Sequence, residues 1–262
     1  MAKIVRNFVL LLCGTVIGCW AQTDNIERPL VRGEYPSIVY VSTPRDQQCI
    51  GVVINAHHVL TSATCVMTNQ AASIYPARLV QVFGGDLEAT SPTNNRQTRT
   101  AQHIFVHEHF RVRQNDNNAA IIRLAEPFHL PSNAIEEAQI RMRIVPQAHQ
   151  CDVVRVEAAG NRLLQAYGVT ISNRNLCDSC CLQLFTQDAS LCTENITNES
   201  LNLLQGDAMF CDGELTALGA FTVTGTTTRF FHFTQVRYLT HWINEQLNRE
   251  NPMPVGWNPN EF

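Results

Sequence analysis

Charged residues are scarce in this sequence, and positive charge is not in excess. They make up 16% of the 262 residues, the formal net charge is −4, and the isoelectric point is near 6.1. Proteins that coat nucleic acid, heparin or an anionic membrane present a strongly basic face. The composition therefore argues against those partners and leaves only a local basic patch open. A hydrophobic content of 45% suits a folded core rather than a disordered chain.

Long apolar runs are missing beyond the start of the chain. Residues 1–21 contain Lys3 and Arg6, the run FVLLLCGTVIGC, and the small-residue end Cys19-Trp20-Ala21, a pattern that predicts a signal peptide. An uncleaved anchor needs about 18 or more apolar residues, and this run is shorter. We therefore expect a secreted, extracellular protein that does not associate with a membrane.

Repeats, low-complexity tracts and long linkers are also absent, which excludes solenoids and multidomain arrays. Removing the leader leaves 262 − 21 = 241 residues, a length that fits one domain. Runs rich in Val and Ile, such as SIVYVS, CIGVVIN and HVLTSAT, alternate with turn residues and predict short antiparallel strands. The segment FTQVRYLTHWINEQLN changes to a helical spacing of apolar residues, so it predicts a final helix.

The sequence lacks Cys and His pairs at the spacing of a zinc finger, although it is not short of cysteine. Eight of the ten cysteines follow the leader, and an even number in an oxidising compartment indicates a disulfide framework. The sequence alone does not fix their pairing. A zinc site on Cys177, Cys180 and Cys181 is the alternative, but it lacks a matching Cys or His pair. We expect no metal and no cofactor.

Three short motifs carry the functional information. They are LTSATC (60–65), NNAAIIRL (117–124) and GDAMFCDGEL (206–215). These resemble, in order and separation, the motifs LTAAHC, NDIALIRL and GDSGGP of the chymotrypsin-like (trypsin-like) serine proteases. The resemblance implies an all-β fold with two packed six-stranded antiparallel β-barrels and a C-terminal α-helix.

All three catalytic positions of that family have changed. Thr64 stands at the general base, Asn118 at the orienting acid and Ala208 at the nucleophile, separated by 118 − 64 = 54 and 208 − 118 = 90 residues. Two residues separate Ala208 from Cys211, where the family has five, so the loop is also shortened. Asp116 lies two residues from Asn118, roughly 6 to 7 Å along an extended chain, and cannot replace the acid. Acyl transfer needs a nucleophile and preorganised donors, so we predict an inactive homolog.

The resemblance also implies the disulfides and the domain bounds. It pairs Cys49 with Cys65, Cys151 with Cys211, and Cys177 with Cys192, while Cys180 and Cys181 stay open between a vicinal bond, a loop bridge and an intermolecular link. The pseudo-protease domain spans 22–248, and residues 249–262 form a loose tail. His57 and His58 precede a strand and are interpreted as surface histidines.

The activation chemistry of the family is not present either. Counting twelve back from Pro36 gives Asp24 rather than an isoleucine, and Pro29 follows the nearest basic residue, Arg28. Asp207, whose family role is to hold the new amine, has no evident partner in the sequence. Since an unpaired buried carboxylate is costly, we expect Asp207 to be solvated, protonated or paired otherwise.

The former specificity pocket is altered as well. Asn202 stands at its base and Leu204 replaces a cysteine beside it, while Ala220-Phe221-Thr222 stands for Ser-Trp-Gly. Sequons at Asn195 and Asn198 fall in the loop that leads to this pocket, where glycans would crowd its mouth. We therefore expect partners to bind elsewhere, with the polar loop Ser91 to Arg99 and the tail beyond Arg249 as candidates.

The chain resembles the secreted serine protease homologs common in arthropods, in a form without a clip domain. It implies a cofactor or modulator of an extracellular protease cascade in innate immunity, with an active protease, a protease zymogen or prophenoloxidase as the candidate partner. Two alternatives remain open. One is a stand-alone salivary or lectin-like effector that sequesters a host or microbial ligand, and the other is a hydrolase with relocated catalytic residues.

Overall fold

The fold is mostly β, with two packed sheets and a C-terminal helix. The computed structural model describes residues 27–44, 48–68, 73–111, 117–132, 134–157, 162–180, 189–195, 206–224 and 229–249. The predicted signal peptide, the tail after Arg249, Asp24, Asp116, Asn198, Asn202 and Cys181 lie outside these residues.

The first half of the chain forms a closed six-stranded antiparallel barrel, as the resemblance implies. Its strand order is β2-β3-β4-β7-β6-β5. The strands are β2 (Ile38–Ser42), β3 (Gln48–Asn55), β4 (His58–Thr61), β5 (Gln81–Gly84), β6 (Gln97–Val106) and β7 (Ala120–Leu124). The predicted polar loop Ser91 to Arg99 is shorter than expected, because β6 begins at Gln97 and Gln97 to Thr100 pair with β5 despite their polar side chains.

The second half forms a seven-stranded sheet in which a short strand from residues 28 and 29 joins six others. Its order is β1-β9-β8-β11-β12-β13-β10. The strands are β1 (Arg28–Pro29), β8 (Gln150–Val156), β9 (Leu164–Thr170), β10 (Ser190–Asn195), β11 (Ala208–Cys211), β12 (Glu214–Thr224) and β13 (Arg229–Gln235). An isolated bridge between Ile171 and Thr193 joins the end of β9 to β10.

Two helices complete the described elements: α1 (Arg174–Cys180) and α2 (Val236–Leu247). Helix α2 buries Val236, Leu239, Trp242 and Ile243, the apolar positions whose spacing predicts a helix. The sequence pattern therefore predicts which face of α2 is buried.

Strand alternation divides the core into layers, because successive side chains of a strand point to opposite faces. In β2, Ile38 and Tyr40 belong to a core shared by the two halves, whereas Val39 and Val41 fill the first barrel. In β11, Ala208 and Phe210 face the shared core, whereas Met209 and Cys211 face the interior of the second sheet. The candidate site lies where these two halves meet.

Candidate functional site

Thr64 and Asn118 are brought together across the first barrel. Thr64 lies in a short 3-10 turn after β4, and Asn118 is fully buried just before β7. The Thr64 backbone N–H donates to Asn118 Oδ1 at 3.1 Å, and the Thr64 Oγ1 to Asn118 Oδ1 and Asn118 Nδ2 to Thr64 Oγ1 distances are 3.4 and 3.3 Å. A hydroxyl and an amide satisfy each other here. Neither is a general base at neutral pH.

Ala208 lies inside a strand rather than in a nucleophile loop. It is fully buried in β11, opposite Val154 on one side and Leu218 on the other. The sequence comparison places it at the nucleophile position, so the structure corrects that expectation. Cys211 is fixed by its disulfide to Cys151 and by the hairpin turn that follows. Because this loop is three residues shorter than in the family, Ala208 pairs with the neighbouring strands of the sheet.

Gly206 and Asp207 form the turn that remains of this loop. Gly206 has a φ of +97°, and a Cβ added there would lie 2.8 Å from Cys65 Sγ, so only glycine fits at this close approach. Its N–H donates to the Gly219 carbonyl at 3.5 Å, the Gly219 N–H donates to the Asp207 carbonyl at 2.6 Å, and Ser62 Oγ donates to the Gly219 carbonyl at 3.2 Å. The Ser62 bond joins the two halves, whereas the other two bonds hold the turn within the second half.

The Asp207 side chain is buried, with 2% of its surface exposed. Of the three expected alternatives, burial excludes the solvated one and leaves the protonated and the paired ones. Tyr167 is fully buried and lies within electrostatic reach of Asp207. Burial and then the negative charge of Asp207 raise the pKa of its phenol.

The three described disulfides are the pairs that the resemblance implies. They join Cys49 to Cys65, Cys151 to Cys211, and Cys177 to Cys192. The side chains of Cys180 and Cys181 lie outside the described part. Within that part, no group of three or more His, Cys, Asp or Glu side chains is placed to hold a metal ion.

A family model for trypsin matches residues 27–243. The chain belongs to the trypsin family. The match covers both sheets and most of α2, so Thr64, Asn118 and Ala208 all lie inside the matched region. None of the helices in the described residues is long and apolar enough to cross a membrane.

In this trypsin-family chain, the segment Ala220–Thr222, which the resemblance assigns to the former specificity pocket, packs against aromatic residues of β13. Ala220 is buried, and the Phe221 ring stacks on His232 with a centroid separation of 4.5 Å and an interplanar angle of 2°. Thr222 pairs with the buried Phe231 in the neighbouring strand β13. His232 and Phe231 belong to none of the three motifs, although the aromatic run of residues 230–233 marks them in the sequence.

His232 carries no charge at neutral pH. Only 1% of its surface is exposed, and burial lowers the pKa of its imidazole to about 4. The stack with Phe221 is therefore apolar in character, and it offers no acid or base near neutral pH.

Asn195 lies at a strand end rather than in a loop. It is the last residue of β10 and pairs with Arg229 of β13. Hydrogen bonding along β13 extends β10 to this position, which corrects the expected loop location. Glycosylation at Asn195 stays a prediction.

The two adjacent histidines of the first barrel differ in burial. His57 is exposed as expected, but His58 is 7% exposed and begins β4, so the surface interpretation is wrong for His58. Its Nδ1 lies 2.9 Å from Asn55 Oδ1, and burial, followed by the charges of Arg123 and His57, lowers its pKa to about 4.

Proposed function

We propose that this protein is a secreted, non-catalytic trypsin-family homolog that acts by binding an extracellular protein. The observation that supports this most strongly is the geometry of the former triad. Thr64 and Asn118 hydrogen-bond to each other, and Ala208 is paired within the ladder of β11. A trypsin-type scaffold with this arrangement retains binding loops but lacks the groups that acyl transfer needs.

The polar loop between β5 and β6 is a suitable recognition element. Ser91 to Asn95 are all exposed, and the loop is anchored from inside by Asp86. That carboxylate accepts from Thr93 Oγ1 at 2.5 Å and from Arg96 Nε, and Arg96 also donates to the carbonyls of Glu88 and Ala89 at 2.9 Å each. Loops on a rigid scaffold are where recognition usually resides, and this loop is preorganised for it.

The cascade role is part of the same proposal. The protein would serve as a cofactor or modulator of an extracellular protease cascade in innate immunity, and its partner would be an active protease, a protease zymogen or prophenoloxidase. Family membership and the three disulfides support an extracellular protease-related protein. A stand-alone effector would instead bind a host or microbial ligand without changing any protease activity.

Binding is tested by altering one exposed side chain and one segment. Asn94→Glu places a charge on the exposed loop tip, and a second variant ends the chain after Arg249. The control is Asn244→Glu, because Asn244 is an exposed residue of α2. Pull-down from the native secreted fluid and titration with the recovered partner should show weaker binding for either test variant, with the melting temperature unchanged.

Arg96 and Arg99 should not be reversed in this experiment. Arg96 holds Asp86, and Arg99 Nε donates to the Pro127 carbonyl at 2.7 Å, so their loss would alter the fold. If Phe221→Ala abolishes binding while Asn94→Glu and the truncation do not, the old cleft is the binding site and the location proposed here is wrong.

A further inference from the structure

A second cleft lies on the first barrel, away from the former triad. It has a volume of about 350 Å³ and is lined by Asn55, Ala56, His57, His58, Arg123 and Glu137. The carbonyls of Ala56 and His57 accept from the backbone N–H groups of Phe128 and Leu124 at 2.9 and 2.8 Å. The frame of this cleft, which we call the histidine cleft, is therefore fixed by backbone bonds.

One cationic and one anionic side chain, neither of which forms an ion pair among the described residues, line the histidine cleft. Arg123 donates through Nη1 to the Arg249 carbonyl at 3.3 Å, and among the described residues its other N–H groups have no partner. Glu137 is exposed and makes no ion pair within the same described part. A guanidinium and a carboxylate that face one cleft without pairing can each bind a ligand group of opposite charge.

His58 adds a buried acceptor at the same place. Asn55 Oδ1 accepts from the His57 backbone N–H at 2.9 Å, which identifies that atom as the amide oxygen, so His58 Nδ1 must donate to it. In the neutral imidazole Nε2 is then an acceptor. It is buried and has no hydrogen-bond partner, a costly state for a polar atom.

Register places these groups in one row. His58 of β4 is paired with Arg123 of β7, and Arg123 is paired with His103 of β6, so the three side chains lie on one face of adjacent strands. Burial and then the charge of Arg123 lower the pKa of His103, and Arg123 is thus the cation of the row at neutral pH. Glu137 is the acidic group of the cleft.

We propose that the histidine cleft binds a small zwitterion, a free α-amino acid, with its carboxylate on Arg123 and its ammonium facing Glu137 and His58. This set of groups uses both charges, and a donor from the ammonium would satisfy the orphan acceptor. The site is separate from the former triad and from the loop Ser91 to Asn95, whereas Arg123 contacts Arg249 at the start of the tail.

The test compares three probes by NMR of the imidazole signals of His57 and His58. L-alanine carries both charges, N-acetyl-L-alanine lacks the ammonium, and L-alaninamide lacks the carboxylate. We expect L-alanine to shift the signals with a dissociation constant on the order of 1 mM. Each derivative should bind about tenfold more weakly, because a charged hydrogen bond is lost.

Two variants assign the charges, and two matched variants serve as controls. Glu137→Gln should make L-alanine and its N-acetyl derivative bind alike, and Arg123→Gln should do the same for L-alanine and its amide. The exposed Glu136→Gln and Arg78→Gln should behave as the unaltered protein. Equal binding of all three probes, or no shift at about 100 mM L-alanine, a hundredfold above the expected constant, would overturn the proposal.

Discussion

At the scale of single residues, the loss of the triad is a matter of position as much as of chemical type. Thr64 and Asn118 keep the contact that a base and its orienting acid would make. Ala208 does not keep its place, because its side chain shares the buried layer of Phe210. A side chain that faces the core between the halves cannot attack a substrate.

Ala208→Ser therefore should not restore activity and should lower stability. A hydroxyl at this fully buried position enters an apolar layer, at a cost of roughly 1 to 3 kcal/mol if it finds no partner. Urea unfolding should show a lower midpoint with an unchanged slope. A variant as stable as the original, with a serine that reacts with substrate, would show that the β11 register is wrong.

Buried histidines predict acid sensitivity. Burial lowers the pKa of His58, His107 and His232 to about 4, whereas an unfolded histidine titrates near 6.5. The unfolded state thus binds more protons between these values, so stability falls as the pH drops from about 6.5 to about 4. The slope per histidine approaches about 1.4 kcal/mol per pH unit.

His232→Phe isolates one of these contributions, because phenylalanine preserves the stack on Phe221. The pH slope of the unfolding free energy between about pH 4.5 and 6.5 should decrease by the contribution of about one histidine. His129→Gln is the control, because that side chain is exposed and its replacement removes no buried histidine. Equal slopes for His232→Phe and the unaltered protein would contradict the assignment.

At the scale of elements, the β5–β6 loop depends on one internal ion pair. Arg96 binds a carboxylate, Asp86, whose side chain is 1% exposed, and its guanidinium also lies over the Phe83 ring at 4.6 Å. A buried charge that loses its partner is strongly destabilising. The loop is therefore built around a cation supplied by the chain itself.

Arg96→Ala should lower the unfolding free energy by about 3 kcal/mol. Asp86→Ala in the same chain should recover part of this loss, because no uncompensated carboxylate then remains. The exposed Arg78→Ala should change stability by less than about 0.5 kcal/mol. If Arg96→Ala melts like Arg78→Ala in chemical denaturation, the ion pair does not organise the loop.

Elements with strong periodicity were predictable from the sequence, and positions set by packing between distant segments were not. The apolar spacing of α2 and the alternation of β2 follow from local pattern. The burial of Asp207 and the withdrawal of Ala208 depend on contacts with β3, β8 and the Cys49–Cys65 bridge. His58 looked like a turn residue because its burial comes from strand β7, 65 residues later at Arg123.

At the scale of the whole molecule, the two halves are joined through the remains of the active site. The Ser62–Gly219 bond crosses between the halves, and Gly206 approaches the Cys49–Cys65 bridge so closely that an added Cβ would lie 2.8 Å from the Cys65 sulfur. The residues around Gly206 thus help to hold the two halves together. Under the function proposed above, recognition uses other surfaces of the molecule.

Labelling with an active-site fluorophosphonate, read by intact mass beside an active trypsin, tests the inactivity of the former site most directly. The protein should gain no adduct, and the variant carrying Thr64→His, Asn118→Asp and Ala208→Ser should also stay unlabelled, because Ala208 remains in the ladder of β11. Stoichiometric labelling of the unaltered protein would contradict the non-catalytic function proposed here, and labelling of the triple variant alone would contradict the placement of Ala208.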